Sequence, residues 1–324
     1  MASSSIAGSL RHRANRSVLA RLRGGDEISY LVTLACAVLV FVVVVLIVAK
    51  LWGNSQPAIR AFGWDFLRTS RWNPNSGNFG ALPFLYGTCV TSAIALLIAV
   101  PTGVASAIFL AEMAPPKLSN LLTFLIELLA AVPSVIYGLL GIFMLLPLIR
   151  SYLVPALKGT FGFLPLFQGS FYGVSLLSAG LVLAVMVVPF IVSVSREVLL
   201  AVPTEQREAA LAVGATKWET TWDIVLPYAR SGIFGSIFLA LARALGETMA
   251  VTMVIGNTPK ITASLLSPGY SIAAVIANEF AEASGDLYVS SLIFAGLVLF
   301  GLTIVINALA RILILATSQK AAAA

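Results

Sequence analysis

The sequence predicts an all-α membrane protein with six transmembrane helices, and three observations predict it. Of 324 residues, 59% are hydrophobic and only 10% charged, with a mean hydropathy of +0.97. Soluble domains carry about 45–50% apolar and about 25% charged residues. The apolar residues fall into six runs, each long enough to supply the about 20 residues that cross a bilayer. The Lys and Arg residues lie almost entirely between those runs. A water-soluble enzyme and a disordered chain are both excluded by this arithmetic. The net charge of +6 reflects the basic flanks of spanning helices rather than an affinity for nucleic acid.

The first run covers residues 29–49 and is followed by Lys50. Its apolar core is too long for a signal peptide and no small-residue cleavage site follows, so it reads as an uncleaved helix. The remaining runs cover about 83–111, 118–148, 169–200, 228–256 and 288–315. The expected organisation is a basic tail at 1–28, a first span at 29–50 and an extracytoplasmic loop at 51–82. A transmembrane domain at 83–315, carrying a polar segment at 201–227, and a short tail at 316–324 complete it.

Charge sets the orientation. Arg11, Arg13, Arg16, Arg21 and Arg23 precede the first run with no acid among them, which places the N-terminus in the cytoplasm. The connection with Lys117, the segment 196–230 and the tail with Lys320 are then cytoplasmic too. Twelve Lys and Arg fall inside and seven outside, with Arg243 left within a helix. Trp52, Trp64, Trp72 and Tyr152 lie in the outer connections and suit an interfacial aromatic belt.

Cys36 and Cys89 sit in separate apolar runs, as small fillers rather than a disulfide or metal pair. The single histidine, His12, lies in the basic tail, so no His-based triad or zinc site can form. Pro101, Pro133 and Pro189 fall inside the second, third and fourth runs, where each removes a backbone donor and kinks its helix. Bent helices around a path and the ordinary frequency of proline in spans both account for them.

The segment 201–230 is the most informative. Thr204, after Pro203, is expected to cap a helix whose first turn holds Glu205 and Gln206. Gly214 is placed as its left-handed stop. Thr216 and Glu219 form a capping box that opens a second helix, and Pro227 marks the turn into the fifth span. The alanine-rich surface suits a groove on another protein; an amphipathic loop lying on headgroups is the structural alternative.

Three charges fall away from the ends of the runs. Arg243 and Glu247 are four apart in the fifth and are expected on one helix face, with Glu127 in the third as a possible partner. Each costs about 2.5–3.5 kcal/mol at the bilayer centre, so each must face protein or water. Either they form a buried ion pair that fixes packing, or they line an anion path, since a guanidinium fork matches oxyanion oxygens bidentately. Ser134 and Thr248 could add hydroxyl donors.

Glu208-Ala209-Ala210, three residues, Gly214, nine residues, then Ile224-Val225-Leu226-Pro227 resembles the EAA motif of ABC importer permeases, EAA-x3-G-x9-I-x-LP. Further stretches are similar to the phosphate branch of that family. They are Trp64-Asp65-Phe66-Leu67, Trp72-Asn73-Pro74, Phe79-Gly80, Pro83-Phe84-Leu85-Tyr86-Gly87-Thr88, Ala131-Val132-Pro133-Ser134-Val135-Ile136-Tyr137-Gly138 and Ala242-Arg243-Ala244-Leu245-Gly246-Glu247-Thr248-Met249-Ala250-Val251. The likeness covers about 64–311.

It implies a type I ABC importer permease (MetI-like) architecture in the bacterial inner membrane, moving inorganic phosphate inward. It also implies that Glu208, Ala209, Ala210, Gly214, Ile224, Leu226 and Pro227 couple to a separate ATPase, and that Arg243 and Glu247 act in translocation. The implied partners are a second permease subunit, two copies of that ATPase, a phosphate-binding protein and membrane lipid. The chain has no G-x-x-x-x-G-K-[ST] loop, so ATP and Mg are expected on the partner, with no cofactor and no catalytic or metal residue here. The alternatives are a permease for another oxyanion such as sulfate or molybdate, a secondary carrier or channel, and a structural subunit locked by its ion pair.

Overall fold

The computed structural model describes residues 26–322; the basic tail with its five arginines and His12 lies outside them. The chain divides into two units, residues 1–53 and 54–324. The first contributes α1 (Asp26–Asn54), one unbroken helix rich in Val and Leu. Its 29 residues reach about 43 Å at 1.5 Å each, enough to cross a bilayer.

The second unit opens with short helices α2 (Gln56–Phe62) and α3 (Asp65–Arg68). Next come α4 (Leu82–Met113), α5 (Pro116–Ala130), α6 (Ser134–Phe161) and α7 (Leu176–Leu200). Then follow α8 (Thr204–Ala212), α9 (Lys217–Gly246), α10 (Met249–Ile255), α11 (Ile272–Glu279) and α12 (Asp286–Ala322). Among the described residues six helices are long and apolar enough to span: α1, α4, α6, α7, α9 and α12. The last runs past its expected end near residue 315.

Two of the expected spans are corrected. The run 118–148 is not one helix: it breaks at 131–133, and the spanning stretch is α6. Pro133 has no N–H and disfavours the α conformation at the residue before it, so the ladder stops and restarts at Ser134. The amphipathic α5 precedes that break and carries Glu127, so Glu127 is not on a span. The run 228–256 likewise divides, because α9 ends at Gly246, Glu247 is extended (φ −68°, ψ 128°) and α10 starts afresh.

Four stretches are wound as wide π turns: Phe109–Met113, Gly141–Leu145, Ile149–Leu153 and Thr220–Val225. Each ends two residues before a proline, namely Pro115, Pro147, Pro155 and Pro227. A proline ring collides with the carbonyl four residues back and offers that carbonyl no N–H. In all four cases that carbonyl belongs to the wide turn; for Pro147, Pro155 and Pro227, which sit inside a continuing helix, the looser winding relieves the collision, whereas Pro115 follows the extended Ala114 and lies outside the helix. Pro227 therefore does not separate a loop from the fifth span; the helix begun at Lys217 continues through it.

Helix α7 is the central post, with two thirds of its apolar window buried. Ser175 caps its start by accepting from the Ser178 N–H at 3.1 Å. It runs beside α4, with Gly180 against Ile94 and Gly103 against Ile191. A Cβ at either glycine would come within 2.6 or 2.8 Å of the isoleucine, so small residues set this close approach.

At the opposite end from α8, residues 62–84 fold onto α11 and α12 through aromatic contacts. Phe66 stacks on Phe294 at 4.4 Å, and Trp72 meets Phe79 and Phe84 edge-on at 4.9 and 4.8 Å. Trp72 Nε1 and Tyr288 Oη both donate to Glu279 Oε2, at 2.8 and 2.6 Å. Burial pushes the nearby Tyr270 phenol up to about 12. Trp72 is thus a half-buried core ring, not a belt residue, whereas Trp64 is exposed. Cys36 and Cys89 are free and exposed rather than fillers of the core.

Candidate functional site

The breaks at 131–133 and at Glu247 and Thr248 lie side by side. Gly138 of α6 faces Ala250 and Met253 of α10, and Gly141 faces Val254, so the two helices run parallel in close contact. Counting back along that register brings Ser134, the first residue of α6, level with Thr248. Irregular backbone at membrane depth survives only against protein or a wet cavity, and discontinuous helices are how transporters bring backbone and side-chain polar groups to the midplane.

Local chemistry holds each break open. Tyr137 Oη donates to the Leu129 carbonyl at 2.7 Å, which ties α6 back to the last turn of α5. Glu247 Oε1 accepts from the Ala250 N–H at 3.2 Å and so caps α10. Thr248 Oγ1 donates to the Gly246 carbonyl at 3.3 Å. The expected Arg243–Glu247 pair on one helix face is therefore corrected, because the helix carrying Arg243 ends before Glu247 and the carboxylate serves the next helix.

Arg243 occupies the last turn of α9, where a cation complements the helix dipole. It is exposed, and its Cζ lies 5.8 Å from the Phe190 ring centroid. Among the described residues no carboxylate lies within ion-pair distance of it. Arg243, Glu247, Thr248 and Ser134 thus gather around the paired breaks. Glu127 does not join them: it is exposed on α5 and forms no ion pair among the described residues.

Two apolar grooves flank the spans. One of about 170 Å³ runs along Tyr137, Gly141, Leu145 and Val182. The other, of about 440 Å³, lies between Pro101, Ile108, Trp218, Trp222 and Ile237. Neither contains Arg243. Among the described residues no three His, Cys, Asp or Glu side chains gather as metal ligands would.

The second candidate region joins α7 to α9. Helix α8 begins after Pro203, not with a Thr204 cap: Thr204 is its first residue and makes no capping bond. It ends as expected, with Gly214 at φ +97°. The Ala215 N–H reaches the Ala210 carbonyl at 3.1 Å and the Gly214 N–H reaches Leu211 at 3.0 Å, the paired bonds of a left-handed helix stop. Thr216 and Glu219 form the expected reciprocal capping box, at 3.3 and 2.7 Å. Ala210 is buried against the wide turn of α9, while Glu208, Ala209, Leu211, Ala212 and Val213 face outward. Val213 is 85% exposed, which leaves an apolar ridge with no cover among the described residues.

Arg207 was not singled out by its sequence context, and it is the most connected side chain here. Its guanidinium donates to Glu112 Oε1 at 2.9 Å, to the Leu199 carbonyl at 2.7 Å and to the Val202 carbonyl. Leu199 lies in the last turn of α7 and Val202 just beyond it, and Glu112 lies in the wide turn that closes α4.

Comparison with known proteins agrees with this architecture. Residues 99–319 match the family described as "Binding-protein-dependent transport system inner membrane component". The chain is 45% identical over 92% of its length, and 92% of the relative's, to the "Phosphate transport system permease protein PstC" of Mesorhizobium japonicum. To the protein of the same name in Xylella fastidiosa it is 48% identical over 90% of each chain. Among solved structures, a bacterial ABC transporter involved in importing the acidic polysaccharide alginate superposes with a TM-score of 0.58. That match covers 90% of this chain and 98% of that one at 16% identity, a likeness of fold.

Proposed function

The chain belongs to the family of binding-protein-dependent transport system inner membrane components, within it to the PstC phosphate transport permeases, and from that premise we propose that it passes inorganic phosphate across the membrane. It is a permease subunit of an ABC importer, an integral protein of several spans, and not an enzyme by itself. Its place is the inner membrane, with the N-terminus in the cytoplasm. Its partners are a PstA-like second permease, two copies of a PstB-like ATPase that uses ATP and Mg, and a PstS-like phosphate-binding protein.

Near full-length identity with relatives named for phosphate carries this reading. The surroundings of Arg243 support it. An exposed guanidinium in a span is costly against lipid, so its open side suits a path shared with a second permease. There the unpaired fork can take two phosphate oxygens. The Phe190 ring lies 5.8 Å from its Cζ, and Ser134 and Thr248 lie close enough in register to add hydroxyl donors.

The outward ridge of α8 supports docking into the ATPase. Residues Glu208, Ala209, Gly214 and Val213 are exposed and open to a partner, while the ridge stands through Ala210 on a base, the wide turn of α9, where Thr220, Thr221 and Val225 are buried; Ile224, Leu226 and Pro227 follow along that same helix. Movement of that base on ATP binding is passed to the broken spans, so the path opens to one side and then the other.

The test is radiolabelled phosphate uptake into cells whose own phosphate permease is deleted and replaced by this chain with its partner subunits. Restored uptake that excess sulfate leaves unchanged is the expected result. Sulfate or molybdate uptake with no competition from phosphate would overturn the substrate, and uptake without any ATPase subunit would overturn the ATP-driven mechanism.

A further inference from the structure

The contacts of Arg207 place one guanidinium at the junction of three elements. Its own helix, α8, bears the outward ridge. Its Nη2 reaches Glu112 on the wide turn ending α4 and the carbonyl of Leu199 in the last turn of α7, while Nη1 reaches the Val202 carbonyl just beyond α7. Both charged side chains are largely buried, at 18% and 12% exposure.

An exposed ion pair contributes little, but this one is partly desolvated, and the guanidinium also donates to the Leu199 carbonyl, which otherwise has only a 3.3 Å bond from the Val202 N–H, and to the Val202 carbonyl just past α7. The planar fork matters because it holds a carboxylate and two backbone oxygens at once, which a lysine ammonium cannot do in the same geometry.

We propose that Arg207 is a positioning residue for coupling: it clamps α8 to α4 and α7, so that displacement of the docking ridge moves both spans together. This rests on the ATP-driven reading above and names the joint that reading lacks. Ala210 gives α8 only one buried apolar anchor, so without the clamp α8 can rock on its base while α4 and α7 stay still. Nucleotide hydrolysis then proceeds without transport.

The experiment measures phosphate uptake and ATP hydrolysis together, in proteoliposomes holding the complete complex with its binding protein. Two variants are compared with the unaltered chain. Arg207→Lys keeps the charge and loses the fork. Glu112→Gln loses the charge and keeps an acceptor, and it serves if the first variant assembles poorly. The expected result is that phosphate moved per ATP falls at least about fivefold, within the range of single substitutions along a coupling network. Hydrolysis and the melting temperature of the complex should stay near the unaltered values. Uptake and hydrolysis falling in proportion, or an unchanged ratio in both variants, would overturn the proposal and leave Arg207 as a simple cap. Uptake by the unaltered complex that owes nothing to ATP would overturn the parent reading, and appears in the control before any variant is measured.

Discussion

The hydroxyl of Tyr137 donates to the carbonyl of Leu129 at 2.7 Å, across the gap where α5 stops and α6 starts. That carbonyl belongs to the last turn of α5 and also accepts from the Val132 N–H at 3.1 Å. A ring on the restarted helix therefore seals the end of the one before it and keeps the break from unravelling. Replacing Tyr137 with Phe removes the donor but keeps the buried ring. The Val132 N–H still serves that carbonyl, so the expected cost is about 0.5–1.5 kcal/mol, the net worth of one hydrogen bond, read as a lower melting temperature of the purified complex. Melting unchanged by Y137F would show that the Val132 N–H alone is enough for Leu129.

Arg243→Gln removes the charge and half the fork from a side chain that contributes no ion pair to the fold. Hydrogen bonds to charged groups are worth about 1.5–3 kcal/mol, so phosphate uptake should fall about tenfold or more. Assembly with the other subunits should persist. Normal uptake with reduced thermal stability would return Arg243 to a packing role.

Glu247 separates two roles cleanly. Glu247→Gln keeps a carbonyl oxygen that can accept from the Ala250 N–H, whereas Glu247→Ala loses the cap, at a cost of about 1 kcal/mol. If the charge of Glu247 matters to transport, the Gln variant should melt like the unaltered protein and still transport poorly. Equal melting and equal uptake in that variant would confine Glu247 to capping.

Gly214 adopts φ +97°, and a Cβ built there meets nothing within 4 Å. Gly214→Asp therefore meets backbone strain of about 1–2 kcal/mol and no collision within the chain. It does place a carboxylate beside the exposed ridge. The expected outcome is normal insertion and abundance with loss of ATPase binding, measured by co-purification. Retained ATPase in this variant, together with normal uptake, would count against docking at Gly214.

Much of this was legible in the amino-acid order. The number of spans follows from the apolar runs, though not where the third and fifth begin and end, and Gly214, Thr216 and Glu219 announce their backbone roles because caps and stops depend on neighbours within a few residues. The two breaks were harder. Pro133 marked one, but it sits in an apolar run that continues on both sides, so it read as a bend. The other falls at Gly246, Glu247 and Thr248, a group that a helical period of Arg243 and Glu247 disguised as one face. Trp72 looked like a headgroup anchor until Glu279, more than two hundred residues later, proved to take its N–H. Arg207 escaped notice because two of its partners are backbone carbonyls and the third, Glu112, lies 95 positions away. Partners of those kinds leave no trace in local spacing.

The prolines that follow the four wide turns have a mechanical consequence. Pro147, Pro155 and Pro227 sit inside continuing helices, where each acts as a wedge against tightening to the regular pitch. Without Pro227, the turn at Thr220–Val225 is free to rewind. Everything beyond it would then advance by about one residue, roughly 100° of rotation for about 1.5 Å of travel. Arg243 rides on that same rod, so the azimuth at which its guanidinium looks out is set by an imino acid several turns below it.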